Sequence, residues 1–107
     1  DTTAGTTNNI AGGNVNIQGG QGKGTGVGGN IVFSVANAGS SGSSLNSTAT
    51  AMTINYKSEV ILEGGIIAIK ETSTPTAVAD YGRVYCKSDN KLYFQDGAGS
   101  EHEISFA

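Results

Sequence analysis

The sequence contains no tryptophan, one cysteine, one proline, one methionine and one histidine. Each scarcity closes a route to stability or to chemistry. A lone Cys86 excludes an intrachain disulfide, and it reads as a small buried hydrophobe rather than a reactive thiol. A single imidazole, His102, leaves a serine-type triad one available base and leaves zinc, which needs three or four converging ligands, poorly supplied. No run approaches the roughly 18 apolar residues of a membrane span, so membrane insertion is not expected. Charge is sparse as well: six Lys and Arg against nine Asp and Glu give a net −3, with no basic stripe for nucleic acid. Large apolar residues are also few. Ile, Leu, Val, Phe and Met make 23 of 107 residues, close to the level at which a chain cannot bury enough surface to fold alone.

Glycine is what the chain has in quantity: 17 residues, each raising the backbone entropy that folding must overcome. A 10.8 kDa chain with so thin a core needs disulfides, a metal or sister copies. The cysteine and histidine counts disfavour the first two, so oligomerisation is expected.

The glycines are patterned. Gly12-Gly13-Asn14-Val15-Asn16-Ile17 returns after 16 residues as Gly28-Gly29-Asn30-Ile31-Val32-Phe33. Paired glycines permit a tight turn, and apolar residues one apart share one face of a strand. A turn-plus-strand unit at fixed spacing is the writing of stacked or wound β architectures. Ala38–Ser47 reads as a Gly/Ser/Asn loop plugged by Leu45, and Ala49–Tyr56 alternates with Met52, Ile54 and Tyr56 on one face. Composition changes near residue 57: residues 1–56 hold 12 of the 17 glycines but only two charged residues, Asp1 and Lys23. The expected division is a leading segment 1–9, which reads as the edge of an excised or processed piece or as a continuation from an upstream part, a glycine-rich repetitive shaft 10–58, and a second module 59–107.

The second module opens with Val60–Leu62, Gly64-Gly65 and Ile66–Lys70, read as a hairpin-like pair or as one more turn of a winding chain, followed by a loop around Pro75. Then comes a three-stranded antiparallel meander with short loops: strands over Arg83–Lys87, Lys91–Gln95 and Glu101–Phe106. Val84, Cys86, Leu92, Phe94, Ile104 and Phe106 share one face. Arg83, Tyr85, Lys87, Lys91, Tyr93, Glu101 and Glu103 share the other. Alternation this clean implies a one-sided sheet whose apolar side takes its cover from neighbouring copies.

The phrases Gly28-Gly29-Asn30-Ile31-Val32-Phe33, Gly39-Ser40-Ser41-Gly42 and Ala49-Thr50-Ala51-Met52-Thr53-Ile54 resemble the repetitive shafts of bacteriophage tail-fibre and related virion proteins. The run from Tyr81 to Phe94, ending in Asp96-Gly97-Ala98-Gly99-Ser100-Glu101, is similar to a small β element of the same proteins. The resemblance implies an all-β fold: an elongated, intertwined trimeric shaft, β-helix- or β-prism-like, followed by the small antiparallel meander. It implies a virion or extracellular location and a structural, non-enzymatic role in host attachment, with no cofactor and no catalytic residue to carry over. The expected trimer core is Ile31, Phe33, Val35, Met52, Ile54, Val84, Leu92, Phe94, Ile104 and Phe106. Tyr81, Arg83, Tyr85, Lys87, Lys91 and Tyr93 form the expected surface for a host glycan or protein, because amphipathic rings and cations suit such partners.

Other chemistry is weakly written. Gly24-Thr25-Gly26-Val27-Gly28-Gly29 satisfies G-x-G-x-x-G, but a β-branched run comes after it where a dinucleotide site needs a helix. Gly19–Gly24 starts like a calcium nonapeptide, with Gly24 where the ligating aspartate would stand. His102 is a metal candidate only if a threefold axis gathers three copies, since Glu101 and Glu103 point to the opposite face. A carboxylate pair drawn from Glu59, Glu63, Asp80 or Asp96 would make a tailspike-type depolymerase, the enzymatic alternative. A self-assembling cell-surface filament joined by donated strands is the third reading.

Overall fold

The computed structural model describes residues 8–105. The protein is all-β, two three-stranded antiparallel sheets in separate units, Asp1–Ile66 and Ile67–Ala107. Among the described residues there is no helix.

The first sheet holds β1 (Ile31–Ala36), β2 (Thr48–Ile54) and β3 (Val60–Leu62), in that order. Its register aligns Ile31, Ile54 and Val60 across the three strands, then Phe33, Met52 and Leu62. The second β-branched phrase of the repeat therefore becomes a strand. The first does not: Val15–Ile17 lies outside any strand, and both apolar residues are exposed. Between the two phrases the chain forms a glycine arch, in which Gly29 N–H donates to Gly20 O and Gly26 N–H to Lys23 O. A Cβ on Gly22 would collide with Gly26 O, so only glycine lets these backbones approach. An alternating pattern makes a strand only when another strand answers its hydrogen bonds.

Four further expectations change. Val60–Leu62 pairs with β2 and not with residues 66–70, because Asn55–Glu59 is a tight hairpin loop. Composition therefore shifts inside the first unit, and the fold divides later, at Ile66–Ile67. Tyr56 sits in that loop instead of continuing the Met52–Ile54 face, and Leu45 is fully exposed where an apolar plug was expected.

The loop is built by Asn55. Its Oδ1 accepts from Lys57 N–H and Glu59 N–H, Asn55 N–H donates to Glu59 O, and Ser58 N–H to Asn55 O. Asp96 repeats all four bonds in the second unit, with Ala98, Ser100 and Gly99 in the matching places. Both loops need a left-handed residue at the fourth position, Gly99 at φ 100° and Ser58 at φ 66°. A side chain there costs about 1–2 kcal/mol that glycine avoids, and glycine's extra chain entropy takes back about 0.5–1 kcal/mol. Ser58→Gly is therefore expected to stabilise the first unit by about 0.5–1 kcal/mol. Chemical denaturation of the two forms checks this.

The second sheet holds β4 (Arg83–Lys87), β5 (Lys91–Gln95) and β6 (Glu101–Ile104). These are the meander strands read from the sequence, the last ending before Ser105; Phe106 lies outside the described residues. The pairs Val84↔Phe94, Cys86↔Leu92↔Ile104 and Tyr85↔Tyr93↔Glu103 establish which residues share a face.

Candidate functional site

The two faces of the second sheet are covered in the opposite sense to the sequence expectation. Tyr85 and Tyr93, expected on an open partner surface, are buried at 4% and 8% exposure, with Gln95 buried beside them. The cover is the segment from Thr72 to Val78, which crosses the tyrosine side. Thr72 N–H donates to Cys86 O at 2.8 Å, Gln95 Nε2 to Pro75 O at 2.7 Å, and Thr74 Oγ1 to Glu101 Oε2 at 2.6 Å. This strap shields amphipathic residues that loop composition alone marks as exposed.

Beneath it the rings of Tyr85 and Tyr93 stack at 5.9 Å and 17°. Lys87 Nζ lies 4.7 Å from the Tyr93 ring centre and 3.1 Å from Glu101 Oε1. Tyr85 donates its hydroxyl to Glu101 at 2.5 Å, and Tyr93 donates to Asp89 at 2.5 Å. The hydrogen bonds from Thr74 and Tyr85, with Lys87 beside them, hold Glu101 down at about 2. The Asp89 hydrogen bond and burial push Tyr93 up to about 12, while burial and Glu101 raise Tyr85. Hydrogen bonds also lower both loop carboxylates, from Tyr93 to Asp89 and chiefly from Ser100 N–H to Asp96.

The signs set the pH window. A depressed carboxylate stabilises the fold above its ordinary value of 4.5 and loses that contribution as pH falls towards 2. A raised phenol stabilises below its ordinary value of 10.0 and loses that contribution as pH rises through 12. Thermal melts from pH 6 to 2 are expected to show falling stability in the second unit. Glu101→Gln is expected to flatten that fall and to lower stability at pH 6.

The opposite face is open. Val84 is 52% exposed, Phe94 38% and Ile104 37%, with Cys86 and Leu92 half-buried between them. Phe94 folds across Gly82, where a Cβ would strike its ring at 2.6 Å. His102 stands on this face beside Phe94, its Nε2 3.4 Å from Asp96 Oδ2. Among the described residues no three His, Cys, Asp or Glu side chains gather as a metal site.

The first sheet has little cover on either side. Ile31, Met52, Ile54 and Leu62 are half-buried, Phe33 and Val35 are exposed, and of this sheet Thr53 alone is buried. Of the remaining surface expectations, Tyr81 and Lys91 are exposed, whereas Arg83 and Lys87 are partly covered. Two of the four carboxylates considered for hydrolysis bond within their own loops: Glu59 accepts from Asn55 Nδ2, and Asp96 holds its loop. Thr74, Asp89 and Gln95 escaped the sequence reading. The signal for Asp89 was present, since an aspartate at a two-strand turn bonds the backbone two residues on, here Lys91 N–H.

Comparison with family models, with curated proteins and with solved structures finds no match for the chain. The functional reading therefore stands on the residues and their geometry.

Proposed function

We propose that this chain is a non-enzymatic segment of a homotrimeric β-structured fibre, of the kind carried by virions, that works outside cells in host attachment. The observation that carries the reading is exposed surface. Phe33 is 40% exposed and Val35 58%, with Val32, Val60 and Ile61 exposed on the same small sheet, so these apolar residues have no cover among the described residues. Apolar surface of that kind is what an obligate subunit interface buries. Ile31, Phe33, Val35, Met52 and Ile54 supply it in the first unit, around an axis shared by intertwined sister chains. The phage-fibre phrases support three copies and the attachment role. Tyr81 and Lys91 are the exposed members of the host-facing surface, each weak contact being multiplied by avidity for a glycan or protein.

Labelled chain is expected to adhere to susceptible bacterial cells when assembled and to lose adhesion when diluted to monomer. Adhesion unaffected by assembly state would contradict the proposal. A filament joined through strand edges is the second reading, favoured by the outer edges of β1 and β3, which pair with no other strand among the described residues. Open-ended polymers in place of a discrete mass would select it. Incubation with host polysaccharide is expected to release no oligosaccharide, and release would support the depolymerase alternative.

A further inference from the structure

We infer that the sister-chain contact of the second unit runs through the open face of its meander, by Val84, Leu92, Phe94 and Ile104 with Cys86 among them. The inference rests on the proposal that the chain is a homo-oligomer, and it assigns one of the faces that the oligomer uses.

The distribution of charge carries it. Arg83, Lys87, Lys91, Glu101 and Glu103 all belong to the strap side by register. The other side holds Val84, Cys86, Leu92, Phe94, Ile104 and a single titratable ring, His102. An antiparallel sheet with one solvated face ordinarily turns its charges to water and its apolar residues to the core. Here the chain's own strap covers Tyr85, Tyr93 and Gln95 on the charged side, while Val84, Phe94 and Ile104 on the apolar side stay exposed. Interface cores are depleted of charge in the same way, and aromatic residues are enriched in them.

Area decides the occupant. The exposed fractions of Val84, Phe94, Ile104 and their neighbours amount to roughly 300 Å² per copy. Two such faces together bury about 600 Å², well below the 1,200–2,000 Å² or so of a stable free-standing interface. A separate protein held by this patch alone would fall away. A sister copy already joined through the first unit makes the same contact at high effective concentration, where a small apolar patch suffices. The strap, with Lys91, then turns outward.

Cys86 lies on this face opposite Leu92 and reports on it. The experiment uses the full chain and measures two quantities: the concentration at which the assembly dissociates, and the rate at which a thiol reagent labels Cys86. Val84→Glu is compared with wild type and with Lys91→Glu, a charge change on the strap side. Near-ultraviolet circular dichroism of the Tyr85–Tyr93 stack, on the far face, verifies that each variant is folded. The expected result is Cys86 labelling at least tenfold faster in Val84→Glu, with dissociation at tenfold or more higher concentration, and no change in Lys91→Glu. An oligomeric wild type whose Cys86 labels as fast as in Val84→Glu would overturn the inference and leave the oligomer standing. A monomeric wild type would overturn both. If Val84→Glu does not fold, Val84→Thr replaces it, with a smaller shift in the same direction expected and an unchanged labelling rate contradicting the inference.

Discussion

Tyr93→Ala is expected to abolish cooperative unfolding of the second unit. The ring is buried, stacks on Tyr85, lies under Lys87 and anchors Asp89 at the β4–β5 turn. Tyr85 and Tyr93 are the two buried hydrophobic residues of the described core, so no neighbouring side chain stands ready to refill the space. A unit of about 40 residues holds only a few kcal/mol of stability in total. Loss of a buried aromatic is of that order. Tyr93→Phe keeps the stack and loses only the hydroxyl bond, so it should retain a transition at lower temperature and lose the alkaline stability limit near 12. Hydrogen exchange of β5 amides reads both variants. Slow exchange in Tyr93→Ala would show that the strap holds the sheet without the ring.

Ile54→Asp is expected to prevent assembly. Ile54 sits between Ile31 and Val60 in the apolar row of the first sheet. In the proposed trimer each copy would bury a carboxylate near the shared axis, at a cost of several kcal/mol per chain and with mutual repulsion added. Sedimentation should then report monomer at concentrations where the wild type is oligomeric. Assembly of the variant with wild-type affinity would remove this row from the interface.

The meander was legible because short loops fix register: the turn Ser88-Asp89-Asn90 between β4 and β5 leaves little choice, and alternation then assigns Val84, Leu92 and Phe94 to one face. Which face is covered was not legible. The cover is a polar, patternless loop whose threonines and Pro75 carbonyl meet Glu101 and Gln95 only in three dimensions. Tyrosine misled for a related reason, since a ring with a polar tip suits either water or a satisfied core. The repeat misled at Val15–Ile17, where the strand pattern is complete but no partner strand answers it. Asn55 and Asp96 share one loop geometry with unlike flanking sequences, Tyr-Lys-Ser-Glu and Gly-Ala-Gly-Ser, so only the capping side chain and the left-handed fourth position connect them.

In the proposed fibre sister chains supply the missing interior, and the equilibrium molar mass of the full chain across a dilution series tests that proposal most directly. The account predicts three times the 10.8 kDa chain mass at micromolar concentration, with sheet structure in the first unit lost as the mass falls on dilution. A folded species of 10.8 kDa with unchanged sheet content at every concentration would contradict it.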